Sequence, residues 1–210
     1  MHEGDPEYCA HCGGRLESLS RGVEFRCREC DRPAFRNPSP NARVAVVDRG
    51  EATADAENRL LLVEIDDSGR LGEPPYHDSE WMLPGGHPEL HEQPPVAAAR
   101  ELEEETGLAV DPTDLVLFAA VTRWVVPGNR GLVVFYAVDR RTTAGSLTGA
   151  DDASDAQFWG PVELATAEGR AFRELHEEPD AYATPGRIID AATAALDGEK
   201  PPTQSDVGGS

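Results

Sequence analysis

The stretch that most constrains this chain is residues 86–108: Gly86-His87-Pro88-Glu89-Leu90-His91-Glu92, a short spacer, then Arg100-Glu101-Leu102-Glu103-Glu104-Glu105-Thr106-Gly107-Leu108. Pro94 and Pro95 suit the first turn of a helix, residues 96–99 propagate it, and Gly107 is placed to end it in the left-handed conformation. The spacing therefore predicts a helix over 94–106, with Val96, Ala99 and Leu102 turned towards a core. Glu101, Glu104 and Glu105 are related by three and four residues, so their carboxylates share one face. Two carboxylates about 6 Å apart at an effective dielectric near 20 repel by roughly 3 kcal/mol before screening. A hard cation converts that repulsion into ligation, and an oxygen-only donor set suits Mg²⁺ or Mn²⁺ rather than zinc or copper. The alternative is a solvated acidic face, in a chain with 39 acidic and 19 basic residues. Residues 81–86 read as a strand entering a Gly-Gly turn. A strand, loop and helix of this kind brings backbone carbonyls and a fourth carboxylate, Glu92, near the same face.

These residues carry a resemblance. The pattern G-x5-E-x7-R-E-U-x-E-E-x-G-U, with U aliphatic, is the Nudix box. Gly86, Glu92, Arg100, Glu101, Leu102, Glu104, Glu105, Gly107 and Leu108 meet each of its fixed positions. The chain is accordingly identified as a member of the Nudix family. The resemblance implies an α/β/α sandwich with a mixed sheet, and a hydrolase that cleaves a nucleoside diphosphate linked to another moiety with a divalent cation. It implies that Glu101, Glu104 and Glu105 ligate the metal or that one of them is the base, with the Gly85 carbonyl a further candidate ligand. Glu92 and Arg100 then orient loop and helix through a salt bridge. Gly86 and Gly107 complete the box.

The cysteines define a second unit. Cys9-Ala10-His11-Cys12 and Cys27-Arg28-Glu29-Cys30 are two Cys-x2-Cys knuckles with the spacing of a four-thiolate zinc site. Gly13 and Gly14 offer a tight turn whose amides face the sulfurs, and residues 23–26 read as a short strand. The unit resembles a zinc ribbon. Disulfides are the alternative, disfavoured in a reducing cytosol. So few large apolar side chains cannot hold this segment folded alone, so the zinc reads as structural, with His11 exposed and outside the ligand set. Arg15, Arg21, Arg26 and Arg28 are offset by Glu17, Glu24, Glu29 and Asp31, which speaks against nucleic acid.

The net charge is −20, and lysine occurs once, at Lys200, among 19 basic residues. This bias resembles the lysine-poor, acidic surfaces of proteins from salt-loving organisms. Such a surface repels bare nucleic acid and anionic membrane. The first residues are acidic and polar, unlike a secretory signal, and no apolar run approaches the about 18 residues of a membrane span. A cytoplasmic protein is expected.

The remaining expectations follow the chain. A zinc ribbon over 1–36 leads through a proline-bearing linker into a main domain over 37–197, with a disordered tail over 198–210. Residues 43–47, 60–65, 81–83, 115–124 and 132–138 read as strands. Polar loops span 49–58 and 66–80, and helices are expected over 161–176 and 184–196. Arg123, Trp124 and Arg130 cluster on a hairpin. An arginine can grip phosphate with two donors and an indole can stack on a purine, so these are the candidate substrate residues; the alternative is a core cap with solvated arginines. By the family's pattern an acid from the loop before a later strand completes the metal site or acts as base. Asp155 is the nearest match, and Asp152 is the alternative.

Ribbon-bearing Nudix proteins include NADH pyrophosphatases and ADP-ribose pyrophosphatases. The former carry a Ser-Gln-Pro-Trp-Pro-Phe-Pro-like segment after the box, and nothing here matches it. The resemblance therefore favours an ADP-ribose-like small nucleotide. NADH, RNA ends and a non-catalytic nucleotide-binding regulator are the other readings. Homodimers are common in the family.

Overall fold

The computed structural model describes residues 5–20, 23–50, 57–65, 79–126, 129–148, 153–167, 170–172 and 184–201. Three short antiparallel strands begin it, β1 (Leu16–Ser20), β2 (Glu24–Cys27) and β3 (Pro33–Phe35), in the order β1-β2-β3. Their inner face buries Phe25 and Cys27.

A mixed eight-stranded sheet follows. Its strands are β4 (Ser39–Asp48), β5 (Arg59–Ile65), β6 (Ser79–Met82) and β7 (Gly85–Gly86). After helix α1 (Pro94–Thr106) and the short β8 (Leu108–Ala109) come β9 (Val116–Val126), β10 (Asn129–Asp139), β11 (Ala144–Gly145) and β12 (Ala153–Trp159). A one-turn helix α2 (Glu163–Thr166), β13 (Arg170–Phe172) and helix α3 (Pro185–Leu196) close the chain. The main path is β13-β6-β5-β4-β10-β9, with β12 also on β5 and β7 also on β4, while β8 and β11 pair separately. β10 runs parallel to β4 and β13 parallel to β6; the other pairings are antiparallel.

Alternation decides what each face covers. Ala42, Val44 and Val46 of β4, with Leu61 and Val63 of β5, pack against Ala97, Ala98 and Leu102 of α1. Their neighbours Ala45, Val47, Leu60 and Leu62 face the other way, onto Ile188, Ile189 and Ala192 of α3. One helix on each face gives the α/β/α sandwich expected from the sequence. Burying a side chain such as Leu102 or Ile188 contributes about 2 kcal/mol each.

The helix ends follow local chemistry. Pro94 opens α1, and Gly107, at φ 72°, ends it with its N–H donating to the Glu103 carbonyl at 2.8 Å. Thr184 caps α3 by accepting from the Arg187 N–H at 3.4 Å. Among the described residues no helix is long and apolar enough to cross a membrane.

Two expectations fail. Val96 lies on the exposed side of α1, because the buried stripe runs through Ala97, Ala98 and Leu102 instead. The single helix over 161–176 does not form. Its apolar residues are too sparse for a continuous stripe, Val162 is exposed, and Phe172 instead joins the sheet in β13, opposite Trp81. Most of the expected loops at 49–58 and 66–80, residues 173–176 and the tail from 202 onwards lie outside the described residues.

Candidate active site

The box is built where α1 crosses β7. Gly85 and Gly86 pair with Arg43 and Ala42 of β4, which fixes the turn to the sheet. Glu105, buried on the inner side of α1, accepts the Gly85 N–H at 2.8 Å. Glu101 lies over Gly86 so closely that a Cβ there would sit 2.5 Å from its Oε1 and 2.7 Å from its Oε2. The absent side chain of Gly86 is therefore the cradle in which the Glu101 carboxylate rests.

Arg100 gathers the remaining acids. Its Nε and Nη2 donate to the two oxygens of Glu92 at 3.0 Å each, a two-pronged pairing across the loop. Its Nη1 donates to Glu101 at 3.0 Å and to Glu104 at 2.7 Å. Nη2 also reaches the His87 carbonyl at 3.3 Å. Hydrogen bonding from Arg100, assisted by the Glu89 N–H, holds the Glu92 carboxyl below its ordinary pKa. Glu101 is shifted upwards by burial, against the pull of Arg100. Glu104 is exposed, with Arg100 as its ion-pair partner.

The oxygen-only chemistry of the box is the kind a hard cation takes, while among the described residues only the four cysteines bring three or more ligand atoms within 4.8 Å of one another. The donors on this face are carboxylate and carbonyl oxygens, and one guanidinium already bridges Glu92, Glu101 and Glu104. The Glu101 carboxylate is countered here by the Arg100 guanidinium at 3.0 Å, a partner that a divalent ion at this face would have to share. Gly85, Gly86, Glu92, Arg100, Glu101, Glu104 and Glu105 are thus brought together, and Gly107 places the helix end.

The other candidates fall elsewhere. Asp155 is on β12 opposite Glu64, and its neighbour Ala156 packs into the α1-side core. Alternation puts Asp155 on the other face of the sheet, where its Oδ1 accepts its neighbour's N–H at 2.8 Å. The loop acids Asp151 and Asp152 lie outside the described residues. Arg130 stands opposite Trp124 in the β9–β10 hairpin. It shares a strand face with Leu132 and Val134, and Val134 packs against the α1-side core. Of Arg123 and Trp124 only the backbone is described.

One residue escapes sequence reading. Arg43 donates from Nη1 to the Leu83 carbonyl and from Nε to Asn41 Oδ1, both at 2.7 Å. Its only sequence signal is a charge standing beside an apolar strand run.

The four cysteines converge as their spacing predicts. Cys9 and Cys30 sulfurs lie 3.8 Å apart and Cys12 and Cys27 sulfurs 3.5 Å apart, with all four within 4.8 Å of one another. A tetrahedral ion with bonds of about 2.3 Å to sulfur sets separations of about 3.8 Å. These distances exclude a disulfide, which needs about 2.05 Å. The knuckles repeat one geometry: Gly13 follows Cys12 at φ 75° and Asp31 follows Cys30 at φ 59°. The Gly14 N–H donates to Cys12 Sγ at 3.4 Å. Backbone N–H groups of Cys12 and His11 draw the Cys9 thiol down to about 7, while, against the pull of the Gly14 N–H, the Cys30 and Cys27 thiols push Cys12 up, so the close sulfurs share their protons unequally. His11 is exposed.

Comparison with known proteins agrees with this geometry. Residues 40–182 match the NUDIX domain. The MutT4 protein of Mycobacterium tuberculosis (strain CDC 1551 / Oshkosh) is 30% identical over 139 residues, covering 63% of this chain and 52% of its own. The chain thus spans about half the length of this curated relative. A NUDIX hydrolase from Nitrosomonas europaea superposes with a TM-score of 0.59 at 19% identity, covering 95% of this chain and 97% of that one. The NUDIX domain of Shewanella oneidensis NrtR, crystallised with ADP ribose, gives 0.53 at 16% identity over 77% and 90% of the two chains. At these identities the structural likeness is one of fold. The match over residues 40–182, which is most of the chain, shows that it belongs to the Nudix family.

Proposed function

We propose that the protein is a divalent-cation-dependent pyrophosphohydrolase acting on a nucleoside diphosphate linked to another moiety, with an ADP-ribose-like substrate favoured. The observation that carries this reading is the intact box assembled in space: Glu101 over Gly86, Glu105 on the Gly85 amide, and Arg100 joining Glu92, Glu101 and Glu104. Glu101, Glu104, Glu105 and the Gly85 carbonyl are the groups that would hold Mg²⁺ or Mn²⁺. The ion supplies positive charge against the negative charge that develops on the phosphoryl group. A carboxylate of the same set takes the proton from the attacking water, and the sheet position of Asp155 argues against that residue as the base. Arg123, Trp124 and Arg130 are the candidate contacts to phosphate and base. The missing NADH-type segment, and the bound ADP ribose of the NrtR domain with the same fold, support the substrate preference.

The cysteine cluster is read as structural zinc and the compartment as the cytoplasm, where thiols stay reduced. A net charge of −20 with a single lysine supports adaptation to concentrated salt.

The test is a panel of ADP-ribose, NADH, dinucleoside polyphosphates, nucleoside triphosphates and capped RNA, incubated with Mg²⁺ in high salt beside Glu104→Gln. Glu104 is exposed, and among the described residues its ion-pair partner is Arg100, so this variant keeps its fold. ADP-ribose is expected to yield two phosphomonoesters, with kcat lowered at least about 100-fold by Glu104→Gln. Nucleotide binding without cleavage of any panel member would replace the hydrolase by a nucleotide-binding regulator.

A further inference from the structure

Residues 83–86 lead from β6 into the box, and their path depends on what holds them. A Cβ at Gly85 would strike the Ala42 carbonyl oxygen and lie 2.8 Å from Arg43 Cα, so this strand runs hard against β4. On the α1 side the segment is held by Glu105, which accepts the Gly85 N–H. On the other side it is held by Arg43. Since Ala42 and Val44 face α1, position 43 belongs to the α3 face with Ala45 and Val47. There the Arg43 fork takes the Leu83 carbonyl with Nη1 and Asn41 Oδ1 with Nε, each at 2.7 Å. Asn41 is itself buried. The Val44 N–H donates to the Pro84 carbonyl at 2.9 Å and completes the clamp.

We propose that Arg43 is a positioning residue for the box. It sets the Gly85 carbonyl and the Gly86 cradle against Glu105 and Glu101, acting through Leu83 from the opposite face of the sheet and without touching substrate. The role it serves rests on the pyrophosphohydrolase reading above. A planar guanidinium can hold two acceptors in fixed directions, whereas the point charge of a lysine cannot. Replacing it leaves the turn free to shift, and an error of about 1 Å in a liganding group can cost on the order of 100-fold in rate.

The experiment compares the whole protein with Arg43→Lys, Arg43→Gln and the milder Asn41→Ala in about 1 M KCl, a concentration that screens adventitious cation binding. Three quantities are read: Mn²⁺ affinity from the free-ion paramagnetic resonance signal, kcat and KM on the cleaved substrate, and Tm. Positioning predicts Mn²⁺ binding weakened about 10-fold in Arg43→Lys and at least that in Arg43→Gln, with a smaller loss in Asn41→Ala, kcat falling in parallel and KM for the nucleotide little changed. Arg43 also pulls electrostatically on Glu101, and that effect alone predicts the opposite sign, because removing a cation near carboxylates tightens Mn²⁺. A merely structural role predicts a lower Tm with unchanged Mn²⁺ affinity and kcat. Either result overturns the proposal. Mn²⁺ binding needs no substrate, so a wild-type protein that cleaves nothing refutes the hydrolase reading while the clamp is still judged.

Discussion

Two adjacent residues of the turn are glycine for different physical reasons. Gly85 has φ 135° and faces backbone atoms of β4 that cannot move. Gly86 has an ordinary φ, and the space of its missing side chain is filled by the tip of Glu101. Gly85→Ala is therefore expected to destabilise the fold by about 3 kcal/mol or more, because it combines a rare conformation with a collision against a strand. Gly86→Ala is expected to keep the fold, since a side chain can swing aside, while kcat falls on the order of 100-fold as Glu101 leaves its place. Thermal melts beside steady-state kinetics separate the two, and a Gly86→Ala protein with unchanged kcat would remove Glu101 from the site. The sequence marks both residues by their place in the box, but which collision each avoids depends on β4, some forty positions earlier. Arg43 was hidden for the same reason. Its partners Leu83 and Asn41 meet it only through strand pairing. Asp155 shows the converse: spacing from Trp159 suggested a role, and the register with Glu64 turns it to the other face.

At the scale of elements, punctuation was legible where it was strong. Two prolines and a glycine bound α1, and Thr184 with Pro185 opens α3. Helix phase and the fate of residues 161–176 were not legible, because alanines leave the direction of a helix open and the pairing of β13 with β6 is non-local. The cysteine ribbon was read correctly as a convergence of thiols. Among its described residues only Cys9, Phe25 and Cys27 are buried apolar side chains, far too little to offset the chain entropy of about thirty ordered residues. On the zinc reading proposed above, metal binding would supply the difference. Mass spectrometry under native conditions is expected to find one zinc per chain. Chelation is expected to abolish amide-exchange protection in β1–β3 while leaving that of β4 and β10 intact. Protection of β2 that survives complete removal of zinc would show that the ribbon folds on its own.

For the whole molecule, charge rather than topology sets the working conditions. With 39 acidic and 19 basic residues the folded chain repels itself, and it also repels a polyphosphate approaching Glu101 and Glu104. Both repulsions are screened by salt, since the Debye length falls from about 10 Å at 0.1 M to about 3 Å at 1 M. The ion pairs that tie the ends of the fold, such as Arg49 to Asp139 and to Asp197, are weakened by the same screening. These pairs are half-buried and contribute on the order of 1 kcal/mol each, too little to outweigh a net charge of −20. Stability is therefore expected to rise between about 0.1 M and 1 M KCl, by several degrees in Tm, and KM for a nucleoside diphosphate substrate to fall at fixed free Mg²⁺. Screening is nearly complete by then, so it predicts a plateau. Adaptation to concentrated salt predicts a further rise of Tm and kcat above about 2 M, where ions excluded from the surface strengthen apolar burial. A Tm series in KCl and in NaCl, carried to saturation, decides between them. A plateau near 1 M or a decline beyond it would mean that the acidity is solubility alone.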